Sequence, residues 1–535
     1  MKRKRLLAFF MAASVAAGLL TGCGSSAADS GSDASASAES SESSDTADAE
    51  EASQDEYPDI EMWSTNTGYL PVEKDSVMYN FYKNLIGVGI TQPYVEWNGG
   101  TTYYEQLNLR IAAGDMPDIV QVGDGVEVDL IKQGALLDLT DLLPEYAPHL
   151  WESVPQETWD AIKAADPTGE GRIYYTPYLC NYVRHSGLIR QDWLDALGLD
   201  MPTTQEEFVN VLRAFKNDDP NGNGIADEIP TGGRAEARWM DYLFAMYGVA
   251  MWEGYPQWDL YDGEITYSAV TQNMRDALEF ISGLYAEGLL DEESLLNDKA
   301  AWDGKVNTGN VGVFYQWEEQ TYNYALNIEN ATGVQADWSV LPVIQVEDYE
   351  GFITEKPTVG SQFAINAADD EEHIKACLKV LDCYGDPDMS LTLRLGPEDM
   401  YHTTDADGNA TVLPSDMTTQ ENLIVNPYES LMDADKVHDM LELIRTDDNA
   451  WAVEKSISNV EEAQQYGKVI AGDGLPSAVY DGYEDINNRT LYVEYASKII
   501  TGEWPIEKFD EFVEKWYATG GTEVTQNVRD WYASK

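Results

Sequence analysis

Short apolar runs and helical stripes alternate along the chain. Asp59–Trp63 reads as a short strand ending in Ser, Thr and Asn, followed by a helical stretch over Ser76–Leu85 and a strand at Tyr94–Trp97. A helix over Tyr104–Ala113 closes at Gly114, and Ile119–Val122 is a further strand running into Gly123-Asp124-Gly125. Alternation of this kind predicts an α/β fold, a parallel sheet with crossover helices. Ligands of such sheets sit beyond the carboxyl ends of the strands. Trp63, Asn66 and Asp124 are therefore candidate cleft residues, with the core as the competing place for Trp63.

Further along, Thr204 stands three residues before Glu207, the spacing of a capping box, and Phe208, Val211, Leu212 and Phe215 then recur at helical spacing. A second helix over Met274–Glu287 stops at Gly288, a C′ glycine. Val311–Tyr315 is apolar throughout, as a buried strand would be. The C-terminal part reads as mostly helical, and no solenoid period is present.

The N-terminus follows a different rhythm. Lys2, Arg3, Lys4 and Arg5 precede an apolar run, Leu6–Leu20, that is shorter than the ~20 residues needed to span a bilayer. Leu20-Thr21-Gly22-Cys23 closes it in the layout of a secretory signal and resembles a bacterial lipobox, in which the cysteine is acylated and becomes the new N-terminus. Residues 1–22 are thus read as a lipoprotein signal peptide, with Cys23 as the lipidation site. Residues 23–57 are rich in Ser, Ala and acids and predict an acidic, disordered tether.

Charge narrows the partners. The 535 residues carry 33 Lys+Arg against 95 Asp+Glu, a formal net charge of −62. Without the four basic residues of the signal and the ten acids of the tether, 29 basic and 85 acidic residues remain, a net of −56. Such a body disfavours nucleic acid, whose phosphates call for basic side chains, and favours a neutral ligand unless a local basic pocket overrides the net field.

The sharpest motif is Asp219-Pro220-Asn221-Gly222-Asn223-Gly224-Ile225-Ala226-Asp227-Glu228. It matches the front of an EF-hand loop, with hard oxygen donors at alternate positions and Gly224 at the sharp turn. Ile225 would give its backbone carbonyl. Pro230 stands where the usual bidentate Glu belongs, so Glu228 is the expected substitute in a structural Ca²⁺ site. Asp405-Ala406-Asp407-Gly408-Asn409 is better read as a hairpin turn.

Trp (15) and Tyr (32) outnumber Phe (12), a bias towards side chains with a flat apolar face and a polar edge, suited to sugar rings. Most of them belong in the core. Trp239, Trp252 and Trp317 have the better context, Trp239 after the polar Gly232-Gly233-Arg234 stretch and Trp317 at the end of the apolar run. The chain has no HExxH, G-x-S-x-G, Walker A or G-x-G-x-x-G motif. Cys377 and Cys383 are about 240° apart on a helix, which argues against pairing.

Leu109–Ile119 (LRIAAGDMPDI), Gly134–Pro148 (GALLDLTDLLPEYAP), Gly187–Pro230 with its DPNGNGIADEIP loop, Lys498–Gly502 and Phe509–Trp516 together resemble the extracellular solute-binding lipoproteins of carbohydrate ABC importers, the oligosaccharide binders with a calcium loop. The resemblance implies a two-lobed periplasmic-binding-protein-like α/β fold with a multi-strand hinge. Lobe 1 would comprise 58–178 plus about 358–400, and lobe 2 would comprise 179–342 plus about 425–535. The chain would cross near Tyr178–Cys180, near Leu341–Pro357 and within 396–426. It also implies Asp219, Asn221, Asn223, Ile225, Asp227 and Glu228 as Ca²⁺ ligands, and a cleft lined by Trp63, Asp124, Tyr178, Trp239, Trp252 and Trp317. The expected protein is a lipid-anchored, monomeric binder on the outer membrane face. It would pass a neutral oligosaccharide to ABC permease subunits and would not be an enzyme. A surface-anchored glycoside hydrolase or lyase, and a ligand-presenting sensor protein, are the competing readings.

Overall fold

The computed structural model describes residues 57–64, 68–96, 101–123, 125–236, 238–404, 410–413, 417–422, 431–487 and 489–535. Cys23, Asn66 and Asp124 lie outside these residues.

Two four-stranded sheets organise the body. In the first, Phe363–Ile365, Ile119–Gln121, Ile60–Trp63 and Ile90–Thr91 lie side by side in that order. The last three run parallel, and Phe363–Ile365 is antiparallel at the edge. Ile60, Met62, Ile90, Ile119 and Phe363 bury against Met78 and Tyr82 of the helix Val77–Ile86 and against the helix Glu371–Gly385. The second neighbouring strand is Ile90–Thr91; Tyr94 and Val95 lie in no strand, and Trp97 is outside the described residues. Pro93 has no N–H to extend the ladder, and Tyr94 is exposed.

The second sheet has the order Trp338–Val340, His185–Arg190, Val311–Trp317, Ile229–Thr231. Every residue of His185–Arg190 is buried, as in a strand covered on both faces. Three groups of helices close this core. Gln205–Asn217 gives Phe208, Leu212 and Phe215, Gln272–Glu287 gives Met274, Leu278 and Ile281, and the C-terminal helices give Tyr492, Ile499 and Phe512. The capping box is complete, with Thr204 Oγ1 accepting from the Glu207 N–H and Glu207 Oε2 accepting from the Thr204 N–H. Gly288 ends its helix at φ 67°, the left-handed C-cap.

A third, three-stranded sheet sets Pro177–Asn181 between Thr358–Ser361 (antiparallel) and Leu431–Asp433 (parallel). Pro177–Asn181 runs on through Tyr182-Val183-Arg184 into His185–Arg190, and Thr358–Ser361 through Gln362 into Phe363–Ile365. Two of its three strands thus continue directly into the larger sheets, and Leu431–Asp433 leads into the helix Ala434–Ile444. Leu431–Asp433 lies C-terminal to the 396–426 span expected of a third crossing. His402–Thr404 pairs antiparallel with Ala410–Val412, the expected hairpin, although its turn is outside the described residues. Cys180, Cys377 and Cys383 are buried free thiols. Among the described residues no helix is long and apolar enough to cross a membrane.

Arg190 is 2% exposed, yet fully engaged. Its guanidinium donates to both oxygens of Asp192 (2.7 and 2.5 Å) and to the Gly309 carbonyl (2.8 Å), and its plane lies over Trp193 (4.7 Å). Removing the carboxylate strands a buried cation. Asp192→Ala is therefore expected to cost about 3 kcal/mol of stability, measurable by urea unfolding, with Asp192→Glu recovering part of it.

Candidate functional site

Register builds the site. Trp317, the last residue of its strand, pairs with His185, the first residue of the neighbouring strand. At the same end the parallel strand Ile229–Thr231 delivers Gly232-Gly233-Arg234. This is the carboxyl end of both parallel strands, where α/β sheets place ligands.

His185 is 2% exposed and ringed by aromatic side chains. Tyr315 stacks on it at 5.5 Å, and Trp252, Trp239 and Trp317 meet it edge-on at 5.3, 5.8 and 5.8 Å. Neither imidazole nitrogen has a hydrogen-bond partner among the described residues, and the nearest carboxylate, Glu253, is 3.7 Å away. Burial, reinforced by Arg184 and Arg234, holds His185 far below the ordinary histidine range and therefore neutral. Burial also raises Glu253, Glu319 and, most strongly, Glu318 above the usual carboxylate range. The Trp317 indole N–H is buried without an acceptor.

Guanidinium groups cover the aromatic faces. Arg184 lies 3.9 Å over Trp317 and donates to the Tyr178 hydroxyl (2.5 Å), which joins the site to the three-stranded sheet. Arg234 lies 3.8 Å over Trp239, while Arg238 and Arg489 approach Tyr255 at 4.3 and 4.7 Å. Of the predicted cleft residues, Trp239, Trp252 and Trp317 gather around His185, and Tyr178 joins through Arg184. Trp63 stands apart, 4% exposed in the core of the first sheet, with its indole N–H donated to Glu61 at 2.6 Å.

Backbone strain concentrates here. Ten non-glycine residues among those described have positive φ, and five of them are Asp, which tolerates that region. The other five are Ala235, Glu236, Trp239, Glu253 and Arg489, every one at this site. Such conformations cost of order 1 kcal/mol each and persist where the surroundings enforce them, as in ligand clamps. A cavity of about 10 Å³ behind His185, lined by Ser186, Asp241, Tyr315 and Thr354, has room for about one water and not for a sugar ring. The partly exposed side of the cluster is the one that carries Trp239, Trp317 and the guanidinium groups.

Asp241 braces the clamp. It is 5% exposed and accepts the Gly254 N–H at 3.0 and 3.1 Å, tying the Trp239 loop to the turn that carries Trp252 and Glu253. Burial pushes its carboxyl up to about 7. A carboxyl raised on folding stabilises fully below its unfolded value and loses that contribution as pH climbs through the folded one. Stability is therefore expected to fall between pH ~4 and ~7, by up to roughly 4 kcal/mol from this group. Asp369, also raised to about 7, acts in the same direction, so the measurement is the difference between Asp241→Asn and the parent in unfolding free energy against pH. A parallel pair of curves would refute the assignment.

The Asp219–Glu228 loop lies at the opposite ends of the same strands. Asp219 Oδ2 accepts from the Gly224 N–H (3.0 Å), Asn221 Oδ1 from the Asn223 N–H (2.9 Å) and Asn223 Oδ1 from the Ile225 N–H (2.6 Å). Asp227 accepts from Asn223 (3.1 Å) and from Asn310 (3.0 Å), the residue before Val311–Trp317. Asp219 Oδ1 and both Glu228 carboxylate oxygens are buried without a partner, and burial together with Asp227 and Asp219 raises Glu228. Among the described residues no group of three or more His, Cys, Asp or Glu is placed to hold a metal. The loop's donor set is different in kind, since it includes two Asn and a backbone carbonyl. Its orphaned, mutually repelling oxygens fit a hard divalent cation.

Residues 87–388, more than half of the chain, match the sequence model of the bacterial extracellular solute-binding proteins. The chain belongs to that family. This solute-binding protein is similar to the fructooligosaccharide ABC transporter substrate-binding protein FusA of Streptococcus pneumoniae, 31% identical over 271 residues, which are 48% of each chain. That match therefore spans about half of FusA's length. It is also similar to lipoprotein LipO of Bacillus subtilis, 26% identical over 458 residues, 82% of this chain and 86% of LipO. In three dimensions it is similar to an EF-hand mutant of FusA in complex with fructo-nystose, with a TM-score of 0.66, 19% identity, and coverage of 89% of this chain and 99% of that one. The solute-binding protein thus has the two-lobed, periplasmic-binding-protein-like fold.

His185, Arg184, Arg234, Arg238, Tyr255, Tyr315 and Arg489 are the site residues that sequence reasoning missed. Only Arg234 carried a local signal, the two glycines before it.

Proposed function

We propose that this protein is a lipid-anchored extracellular binder that captures an oligosaccharide between two lobes and hands it, uncut, to an ABC importer. The observation that carries this reading is the set of half-covered aromatic faces and unpaired polar groups gathered around His185, an arrangement able to stack on sugar rings and bond their hydroxyls. The resemblance of the chain to FusA, a fructooligosaccharide-binding protein, supports the ligand class. In this reading 58–178 plus about 358–400 form one lobe, and 179–342 plus about 425–535 the other. The three-stranded sheet is the hinge, and Tyr178, bonded to Arg184, reports closure to the binding face. Acylated Cys23 and the acidic tether would hold the body outside the membrane as a monomer.

Asp219, Asn221, Asn223, Asp227 and Glu228, with the Ile225 carbonyl, would hold Ca²⁺. The ion would neutralise the crowded carboxylates. Asp227, through Asn310, and the bond from the Ile229 N–H to the Asn310 carbonyl (2.7 Å) then fix the starts of the two strands whose far ends carry Arg234 and Trp317.

Titration calorimetry against a panel of oligosaccharides tests the proposal. Saturable binding at one site, with the sugar recovered intact, is expected. A folded sample silent across the panel, or one that shortens the sugar, would defeat it. A neutral ligand was the expectation from a body of net charge −56, but exposed charges are screened over ~8 Å, so the side chains lining the pocket decide.

A further inference from the structure

Arg234, Arg238, Lys356 and Arg489 share one neighbourhood. Arg238 and Arg489 both approach Tyr255, Arg234 lies over Trp239, and Lys356 donates to Gln257 at 3.3 Å, two residues beyond Tyr255. Glu253 feels both Arg234 and Lys356, and Lys356 feels Arg489. None of the four makes an ion pair among the described residues.

That is unexpected in a chain with nearly three acids for every base. Elsewhere the carboxylates crowd in, with Lys305 held by both Asp291 and Glu293 and Arg445 by both Glu442 and Glu454. Leaving four cations unpaired, with burial already depressing Arg234 and Lys356, is costly unless another anion completes the site. Burial pushes Glu253, which sits among them, towards its neutral form, while Asp303 and Asp473 act on Arg234 and Lys356 from beyond ion-pair distance.

Geometry favours a carboxylate over a diffuse charge. A guanidinium stacked flat on an aromatic ring has its faces occupied and its N–H edge free, the edge that forks onto two carboxylate oxygens. Arg234 on Trp239 presents such an edge, while Arg238, across Tyr255 from Arg489, spends its Nε–H on the Ala235 carbonyl at 2.8 Å and keeps its terminal nitrogens for a ligand. Trp239 and Arg489 are held at φ 56° and 58°, so strain is spent to keep these groups in place.

We infer that the glycan carries carboxylates: the Arg234–Arg238–Lys356–Arg489 cluster is an acid-sugar subsite that selects uronate-bearing oligosaccharides over their neutral counterparts. The inference rests on the glycan-binding reading and names its substrate class. Bidentate charge-assisted pairing with a half-buried guanidinium supplies the selectivity, and the acidic remainder of the body repels polyanions that do not fit this pocket.

The test uses the full chain in mild detergent, with short oligosaccharides containing galacturonate, glucuronate or mannuronate, each beside its carboxyl-reduced, neutral form of the same length and linkage. At least one uronate form is expected to bind about tenfold or more tightly than its reduced twin, with a preference that shrinks as salt rises. Arg234→Ala and Arg489→Ala are expected to erase the preference, the uronate form losing about tenfold more affinity than its reduced twin. Arg234→Lys should restore part of it. Melting curves of each variant separate a misfolded sample from a lost contact, and the parent's uronate-to-neutral ratio needs no variant at all. Equal or tighter binding of the reduced sugars overturns the carboxylate inference and leaves glycan capture standing. No binding of either form by folded protein overturns both.

Discussion

Trp239→Ala is expected to lower affinity for the bound oligosaccharide by roughly 30- to 100-fold, about 2–3 kcal/mol, the range of an aromatic hot spot. Two losses combine. The indole is a partly exposed face at the mouth of the site, and it is also the platform that holds the Arg234 guanidinium at 3.8 Å. Stability should change little, because the indole is only partly buried and alanine leaves the strained φ of 56° in place. Calorimetry and a melting curve on the same sample check the result. If Trp239 is only a packing residue, the melting temperature drops and affinity stays.

Removing calcium is expected to lower the melting temperature by about 3 °C. An ion present at ~100 times its dissociation constant contributes ~2.7 kcal/mol, and a degree scale of about 1 °C per kcal/mol suits a body of this size. Glu228→Gln separates the ion's contribution from the fold's. Both oxygens of Glu228 are buried and unpartnered beside Asp219 and Asp227. In chelator the variant should melt higher than the parent, because a buried, repelled carboxylate is gone. In millimolar calcium the order should invert, because a ligand is gone. Chelator-insensitive melting, or the same rank order in both buffers, would remove the metal from the account. Chelation should also weaken glycan binding, since Asp227 ties the loop through Asn310 to the strand that ends at Trp317.

Local features were legible in the sequence. The capping box at Thr204, the C-cap at Gly288, the buried run from Val311 and the Asp219–Glu228 loop each sit within a few residues, so spacing alone reports them. Tyr94 and Val95 lie in no strand, because Pro93 has no N–H to carry the ladder on from Ile90–Thr91, and Trp97 is outside the described residues. The candidate site was legible only in part, for a different reason. Trp239, Trp252 and Trp317 stood out as aromatic residues in polar or strand-end context. His185 did not, because its surroundings come from register: strand pairing sets it against Trp317 and stacks it on Tyr315. Arg489 reaches Tyr255 only through the packing of the C-terminal helices. The net charge of the chain says nothing about which cations go unpaired at one place, because that depends on the fold.

The three-stranded sheet sets the timetable on which this protein matures. A chain exported N-terminus first delivers Ile60–Trp63, Ile90–Thr91 and Ile119–Gln121 early, yet their edge partner, Phe363–Ile365, emerges only after the whole second sheet has passed. The second sheet in turn waits for Tyr492, Phe512 and Val528 to cover it. The first core waits for Val453 and Val460, and the second for the last helices. Translocating intermediates are therefore expected to keep apolar surface uncovered for longer than a chain of local contacts would.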